Sequence, residues 1–295
     1  ARSGQAVGVL GASSLVGRSL LPQLVQSGCQ VTAFSRRSSM PSDDGAEWRQ
    51  LPEGGFSQTR SQREERGPDL WICLAPIWVL PEYFALLEAR GARRIVSISS
   101  TSRFTKSKST NLEEKRVAKR LAGAELQLQT WAEAHDVEWI ILRPTLIYGL
   151  GRDKNIAEIA RFIRRFGFFP LLGEATGLRQ PIHADDVASA CVAALLGTDA
   201  ANRSYNISGR EVITYREMVV RIFKAMGRCP RFITIPLWVF RMGVALLRLL
   251  PHCRSWSVEM VERMNSDLVF DHSEAVRDFG FNPRHAAVSR EDVVA

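Results

Sequence analysis

Short apolar runs alternate with segments of helical period through the first half of the chain. Ala6–Leu10, Gln30–Phe34, Leu70–Leu74, Arg94–Ile98 and Trp139–Leu142 are continuous enough in apolar residues to read as strands. Between them, Leu15–Ser27, Pro81–Arg90 and Glu113–Ala134 repeat apolar residues at helical spacing. This alternation predicts an α/β fold, a Rossmann-type doubly wound parallel sheet with crossover helices. A weaker strand is expected at Ala46–Leu51, within a stretch (Ser35–Pro68) otherwise polar and rich in Ser, Gly and Arg.

After Tyr148 the pattern changes. A Gly/Arg/Lys-rich turn, Gly149–Asn155, leads to a basic amphipathic helix at Ile156–Phe166, and a further helix is expected at Ala184–Leu196. Short strands and helices then alternate to the end. The expected division is residues 1–147, with 180–207 returning, as a nucleotide-binding domain, and 148–179 with 208–295 as a smaller substrate lobe. The longest apolar stretch, Ile235–Leu250, interrupted by Arg241 and Arg248, is short for a membrane span. Thr234 as N-cap and Pro236 in the first turn predict a helix there. Such a helix fits burial, a subunit interface, or peripheral membrane contact through 235–251 with its arginines snorkelling.

Composition narrows the partners. The 295 residues carry 39 Lys and Arg against 31 Asp and Glu, a formal charge of +8, which favours anionic ligands. The basic residues are dispersed and no nucleic-acid-binding motif is present, so no nucleic acid partner is expected. Five cysteines, an odd number without a Cys-x-x-Cys pair, suggest reduced thiols and a cytoplasmic setting. The first apolar run, broken by Gly11, does not read as a signal peptide.

The chemistry concentrates at the first strand–helix junction, Gly11-Ala12-Ser13-Ser14-Leu15-Val16-Gly17. Glycine lets the backbone approach a pyrophosphate, and the first N–H groups of the following helix are unpaired donors at its positive end. The second strand ends Ser35-Arg36-Arg37 with no carboxylate before Asp43. An acidic residue there would suit the ribose hydroxyls of NAD, whereas arginine suits the 2′-phosphate of NADP, so NADP is the expected cofactor and NAD the lesser one.

The Gly-x-x-Ser-x-x-Gly spacing resembles the Gly-x-x-Gly-x-x-Gly turn of extended short-chain dehydrogenases/reductases, the NAD-dependent epimerase/dehydratase type, with Ser14 in place of the middle glycine. Three later segments carry the same likeness: Leu142-Arg143-Pro144-Thr145-Leu146-Ile147-Tyr148-Gly149, Arg179–Ala188 with His183 and Asp186, and Ser204–Gly209. Phe279-Gly280-Phe281-Asn282-Pro283 resembles the family's closing element, so the likeness spans nearly the whole chain. It implies that Gly11, Ser13, Ser14, Leu15, Val16 and Gly17 face the pyrophosphate. It implies that Leu74, Ala75 and Pro76 line the nicotinamide side, with Ser99 and Pro144 as further cofactor contacts. Arg179 would grip the diphosphate of a nucleotide-sugar or lipid-linked sugar, with Arg152 and Arg263 as further substrate candidates. The His183-Ala184-Asp185-Asp186 group would order a helix start, and no metal is expected. A homodimer through Glu113–Ala134 and Ala184–Leu196 is also implied.

One element departs from the family. These enzymes use a Ser/Thr with a Tyr-x-x-x-Lys pair on one helix, the ammonium and the cofactor ring lowering the phenol pKa for acid/base work. Ser99-Ser100-Thr101 supplies the hydroxyl element. Aligning Glu125 with the family's mid-helix acid puts Val117 and Leu121 at the Tyr and Lys positions, and no Tyr lies between Tyr83 and Tyr148. Two readings follow. In one, the chain is an enzyme acting on a nucleotide-sugar with Thr101 and Tyr148 as the foremost catalytic candidates. In the other, it binds NADP as a structural or redox-sensing element without turnover.

Overall fold

The computed structural model describes residues 4–36, 45–51, 67–153, 155–235 and 264–294. Arg37, Lys154, Arg263 and nearly all of the apolar 235–251 stretch lie outside them. In chain order the elements begin β1 (Ala6–Leu10), α1 (Leu15–Gln26), β2 (Gln30–Ser35), β3 (Glu47–Gln50) and β4 (Leu70–Cys73). A 3-10 helix (Ile77–Tyr83), α2 (Phe84–Ala89), β5 (Arg94–Ile98), α3 (Ser102–Thr105), α4 (Leu112–Ala134) and β6 (Glu138–Pro144) follow. Next come β7 (Ile147–Tyr148), α5 (Ile156–Phe166), β8 (Phe169–Leu172), β9 (Leu178–Arg179), β10 (Ile182–His183) and α6 (Ala184–Leu196). The remainder is β11 (Arg203–Ile207), β12 (Ile213–Thr214), α7 (Tyr215–Ala225), β13 (Phe232–Ile235), α8 (Ser273–Phe279) and α9 (Arg290–Val293).

Two compact units result, the first comprising 1–144, 184–207 and 271–282, the second 145–183, 208–270 and 283–295. The return of 271–282 to the first unit goes beyond the sequence reading, which kept 208–295 together. Its physical basis is contact with β11: Tyr205 Oη donates to Asp278 Oδ2 at 2.8 Å, and the Phe279 ring meets Tyr205 edge-on. Burial first, and the Asp278 carboxylate beside it, push the Tyr205 hydroxyl up to about 12.

In the first unit a seven-stranded sheet runs β11-β6-β5-β4-β1-β2-β3, with every pairing parallel. The chain builds outward from β1 through β2 and β3, then returns beside β1 with β4 and builds the other way. The crevice outside the carboxyl ends of β1 and β4 is therefore a topological switch point, where such sheets bind ligands. Trp71, Leu80, Leu87, Leu128 and Ile141 are buried in one core beneath α4 and the 3-10 helix. Each such side chain contributes about 1.5–3 kcal/mol of transfer free energy. Pro81, expected to open a helix over Pro81–Arg90, instead sits within the 3-10 helix Ile77–Tyr83, before α2 begins at Phe84. Proline lacks the N–H that a continuous α-helix would need. Helix α1 is pinned to α6 by Ser19 Oγ, which donates to Asp185 Oδ1 at 2.5 Å.

Among the described residues the second unit carries three two-stranded pairs, β7 with β10, β8 with β13 and β9 with β12, around a core that includes Ile163, Leu171, Ile222 and Phe223. Ile235, expected to open a helix with Thr234 as its cap, is the last residue of β13 and pairs with Leu172. The Ile233-Thr234-Ile235 run is β-branched throughout, which favours extension beside β8. No helix among the described residues is long and apolar enough to cross a membrane.

Candidate nucleotide-binding cleft

The β1–α1 turn is shaped by contacts that tolerate little beyond glycine. Gly11 has φ +74°, and a Cβ there would lie 2.6 Å from the Ala75 amide nitrogen. Both facts exclude a side chain and hold the turn against the end of β4. A Cβ on Gly17 would strike the Ala12 carbonyl oxygen. Ser14 is the N-cap of α1: its Oγ accepts from the Gly17 N–H at 3.1 Å, while its own N–H donates to Gly11 O at 3.0 Å. The departure from glycine at position 14 therefore has a local purpose, a cap worth about 1 kcal/mol.

This turn, the end of β2 and the residues after β4 enclose a cleft of about 360 Å³. Of the sequence-predicted contacts, Gly11, Ser13, Ser14, Ser35, Arg36, Leu74, Ala75 and Pro76 line it. Phe34, Leu51, Val79 and Tyr83 line it too, and sequence reasoning missed them. Phe34 was legible as the last apolar residue of a strand, whereas Tyr83 arrives through the 3-10 helix and has no local motif. Among the described residues no carboxylate lines the cleft. Arg36 is exposed and Ser35 buried. Burial pushes the Tyr83 hydroxyl above its ordinary pKa, partly offset by the Arg36 charge. The cleft fits a dinucleotide phosphate in its chemistry: helix-start donors on one side, a guanidinium at the β2 end, and apolar walls between.

The remaining cofactor candidates lie apart from the cleft lining. Leu15, Val16 and Gly17 form the first turn of α1. Ser99 is buried and its Oγ donates to Glu125 Oε1 at 2.5 Å. The Pro144 carbonyl accepts from both the N–H and the Oγ1 of Thr101, each at 3.1 Å. Thr101, 6% exposed, is thus held to the end of β6.

Glu125 is wholly buried and is the hub of this region. Besides Ser99 it receives Arg143 as a fork, Nε at 3.1 Å to Oε1 and Nη2 at 2.6 Å to Oε2, and it pairs with Arg103. Four residues before Glu125 on α4, Leu121 is 4% exposed in the apolar core. Val117, Trp78 and Val79 pack against the same core, and the Arg120 guanidinium stacks 4.6 Å from the Trp78 ring.

In the second unit Tyr148 is buried with its ring edge-on to His183, centroids 5.1 Å apart. His183 Nε2 lies 3.2 Å from Asp292 Oδ1, which also accepts the Leu150 N–H. Burial opposes ionisation of Asp292, yet bonds from His183 and from the N–H and Oγ of Ser289 prevail and hold its pKa near about 2. Asp292 lies far from His183 in sequence, and no motif announced the pair. Arg179 is 3% exposed, its Nη1 donating to Leu178 O at 2.7 Å and Ser266 O at 2.6 Å, with its Cζ 5.5 Å from the Tyr215 ring. Arg152 is exposed.

Residues 83–208 match the family model described as the NAD dependent epimerase/dehydratase family. That stretch is similar to an epimerase/dehydratase segment. The mitochondrial NADH dehydrogenase [ubiquinone] 1 alpha subcomplex subunit 9 of Arabidopsis thaliana is 31% identical over 100 residues, 34% of this chain and 25% of that protein. The UDP-glucose 4-epimerase of Vibrio cholerae is 23% identical over 160 residues, 54% of this chain and 46% of the epimerase. The chain thus spans a quarter to about half of the curated relatives it matches. The UDP-glucuronic acid 4-epimerase of Bacillus cereus, solved with NAD, superposes with a TM-score of 0.69 at 15% identity, over 98% of this chain and 94% of that one. The fold is that of the extended epimerases.

Proposed function

We propose that the protein binds NADP in the β1–β2–β4 cleft and is a nucleotide-sugar epimerase-, dehydratase- or reductase-like protein with a non-standard active site. The observation that carries the cofactor choice is a cleft with Arg36 at its β2 end and no carboxylate among its described lining residues. The bound nicotinamide would supply the hydride donor or acceptor. Gly11 and the start of α1 would hold the pyrophosphate, and Arg36 the 2′-phosphate. The similar epimerases are named for UDP-sugars, which supports a nucleotide-linked sugar as substrate, with Arg152 and Arg179 proposed on its anionic side and Thr101 and Tyr148 as acid/base groups. This reading takes the protein as cytoplasmic and homodimeric.

A second reading, cofactor binding without turnover, is favoured by the apolar packing of Val117 and Leu121 where the family carries its acid/base pair. Titration with NADPH and NADH, followed by turnover assays on pooled UDP-sugars, separates the two. Tight NADPH binding with UDP-sugar turnover supports the first. Tight NADPH binding with neither turnover nor UDP-sugar binding supports the second. Arg36→Ser should weaken NADPH roughly tenfold or more while leaving NADH unchanged, the loss of a charge-assisted contact worth about 1.5–3 kcal/mol. Equal affinity of the wild type for both cofactors would refute the role given to Arg36.

A further inference from the structure

The second unit presents a surface that the cofactor reading leaves unused. Helix α5 ends Arg161-Phe162-Ile163-Arg164-Arg165-Phe166, and Gly167, at φ +78°, turns the chain so that Phe168 comes back beside the helix. The Phe162 ring lies 4.6 Å from Phe166 and 5.9 Å from Phe168 between centroids. Phe166 is 50% exposed, where a phenylalanine ordinarily buries most of its ring. The loop from α7 to β13 joins this edge: Arg228 Nη1 donates to Ile163 O at 2.9 Å, and Phe169 N–H donates to Arg231 O at 2.9 Å. Ile233, two residues on, is 49% exposed.

Aromatic and aliphatic side chains therefore stand exposed among Arg161, Arg164, Arg165, Arg228 and Arg231, with Glu158 one turn back on α5 and Glu291 on α9 as nearby acids. We infer that this edge is a docking surface for an anionic lipid bilayer, with Phe166 and Ile233 entering the headgroup boundary and the guanidinium groups meeting lipid phosphates. Arginine is suited to this, since its apolar stem lies along the hydrocarbon boundary while its fork pairs with phosphate oxygens. The sequence adds a reason for a bilayer over a polynucleotide. Two residues after Ile233, Ile235 opens a run that stays apolar to Leu250 apart from Arg241 and Arg248, a composition that a nucleic-acid surface does not need.

The test is sedimentation of the full chain with sucrose-loaded vesicles of phosphatidylcholine alone or mixed with phosphatidylglycerol, at low and high salt. The expected result is binding to the mixed vesicles, release by salt, and little binding to phosphatidylcholine alone. Arg161→Glu with Arg165→Glu should weaken the mixed-vesicle binding by roughly thirtyfold or more, from about a factor of five for each basic residue at an anionic surface. Phe166→Ser should weaken it as well. Both variants should retain the wild-type NADPH titration and thermal midpoint, so the outcome is independent of the cofactor proposal. Absence of vesicle binding, binding unchanged in the variants, or preference for a single-stranded RNA oligonucleotide over mixed vesicles would each overturn the assignment.

Discussion

Glu125→Gln tests whether the buried ion-pair hub holds the first unit together. The carboxylate has no exposure and receives Ser99, both nitrogens of the Arg143 fork and Arg103. Glutamine preserves the shape but offers one acceptor oxygen and turns an NH2 group toward donors. The Arg143 side chain, 13% exposed, is then left with a buried charge, whereas Arg103 at 31% rehydrates more readily. Removing one partner of a buried pair costs about 3–5 kcal/mol, and relaxation of Arg103 places the expected loss near about 3 kcal/mol. At roughly 2–4 °C per kcal/mol for a unit of this size, the midpoint should fall by about 6–12 °C. Tryptophan fluorescence reports the transition, since Trp71, Trp131 and Trp139 share the adjoining core. Arg103→Ala should cost no more than about 1 kcal/mol, because Arg103 is partly exposed and Ser99 and Arg143 still satisfy the carboxylate. A loss below about 1 kcal/mol for Glu125→Gln, or an equal loss in both variants, would refute this account of the hub.

Two further outcomes follow from single contacts. Ser14→Ala should destabilise the first unit by about 1 kcal/mol and Ser14→Gly by only a few tenths, measured by urea denaturation, because glycine also tolerates the cap conformation. Asp292 gives the second unit an acid sensitivity with a definite sign. Its native pKa near about 2 lies below the ordinary 3.8, so its contribution is present above about pH 4 and is lost as pH falls toward 2. The size is about 2 kcal/mol, and Asp292→Asn should flatten acid unfolding across that interval while lowering stability at neutral pH.

Much of the first unit was legible because its strands are short, apolar and separated by helical periods. Ala6–Leu10 and Arg94–Ile98 are found with the expected bounds, as is the helix Ile156–Phe166 in the second unit. The cleft residues Gly11 and Arg36 follow from local rules about what a turn and a strand end must contact. Tyr83, Asp292 and the α8 contact with β11 were not legible in this way. Each depends on a partner more than sixty residues away or on a 3-10 turn that periodicity does not register. Thr234 and Ile235 differ from the expected helix start for a related reason: Thr-x-Pro reads as a cap locally, while both residues pair with β8 at long range.

The two positions that the sequence likeness marks as departures, Ser14 and the Val117/Leu121 pair, differ in physical character. Ser14 stands where the family pattern has a glycine but caps the helix it opens, accepting the Gly17 N–H, so the β1–α1 turn is closed locally by its own side chain. Val117 and Leu121, aligned in the sequence with the family's polar pair, have apolar surroundings: Leu121 is 4% exposed, and the 3-10 helix lays Trp78 and Val79 against the same core. An ammonium at position 121 would sit among those side chains, a burial that costs several kcal/mol without a paired charge. The serine at position 14 is thus accommodated within its own turn. On α4, positions 117 and 121 belong to the apolar core, and polar groups gather instead at Glu125, where Ser99, Arg103 and Arg143 meet.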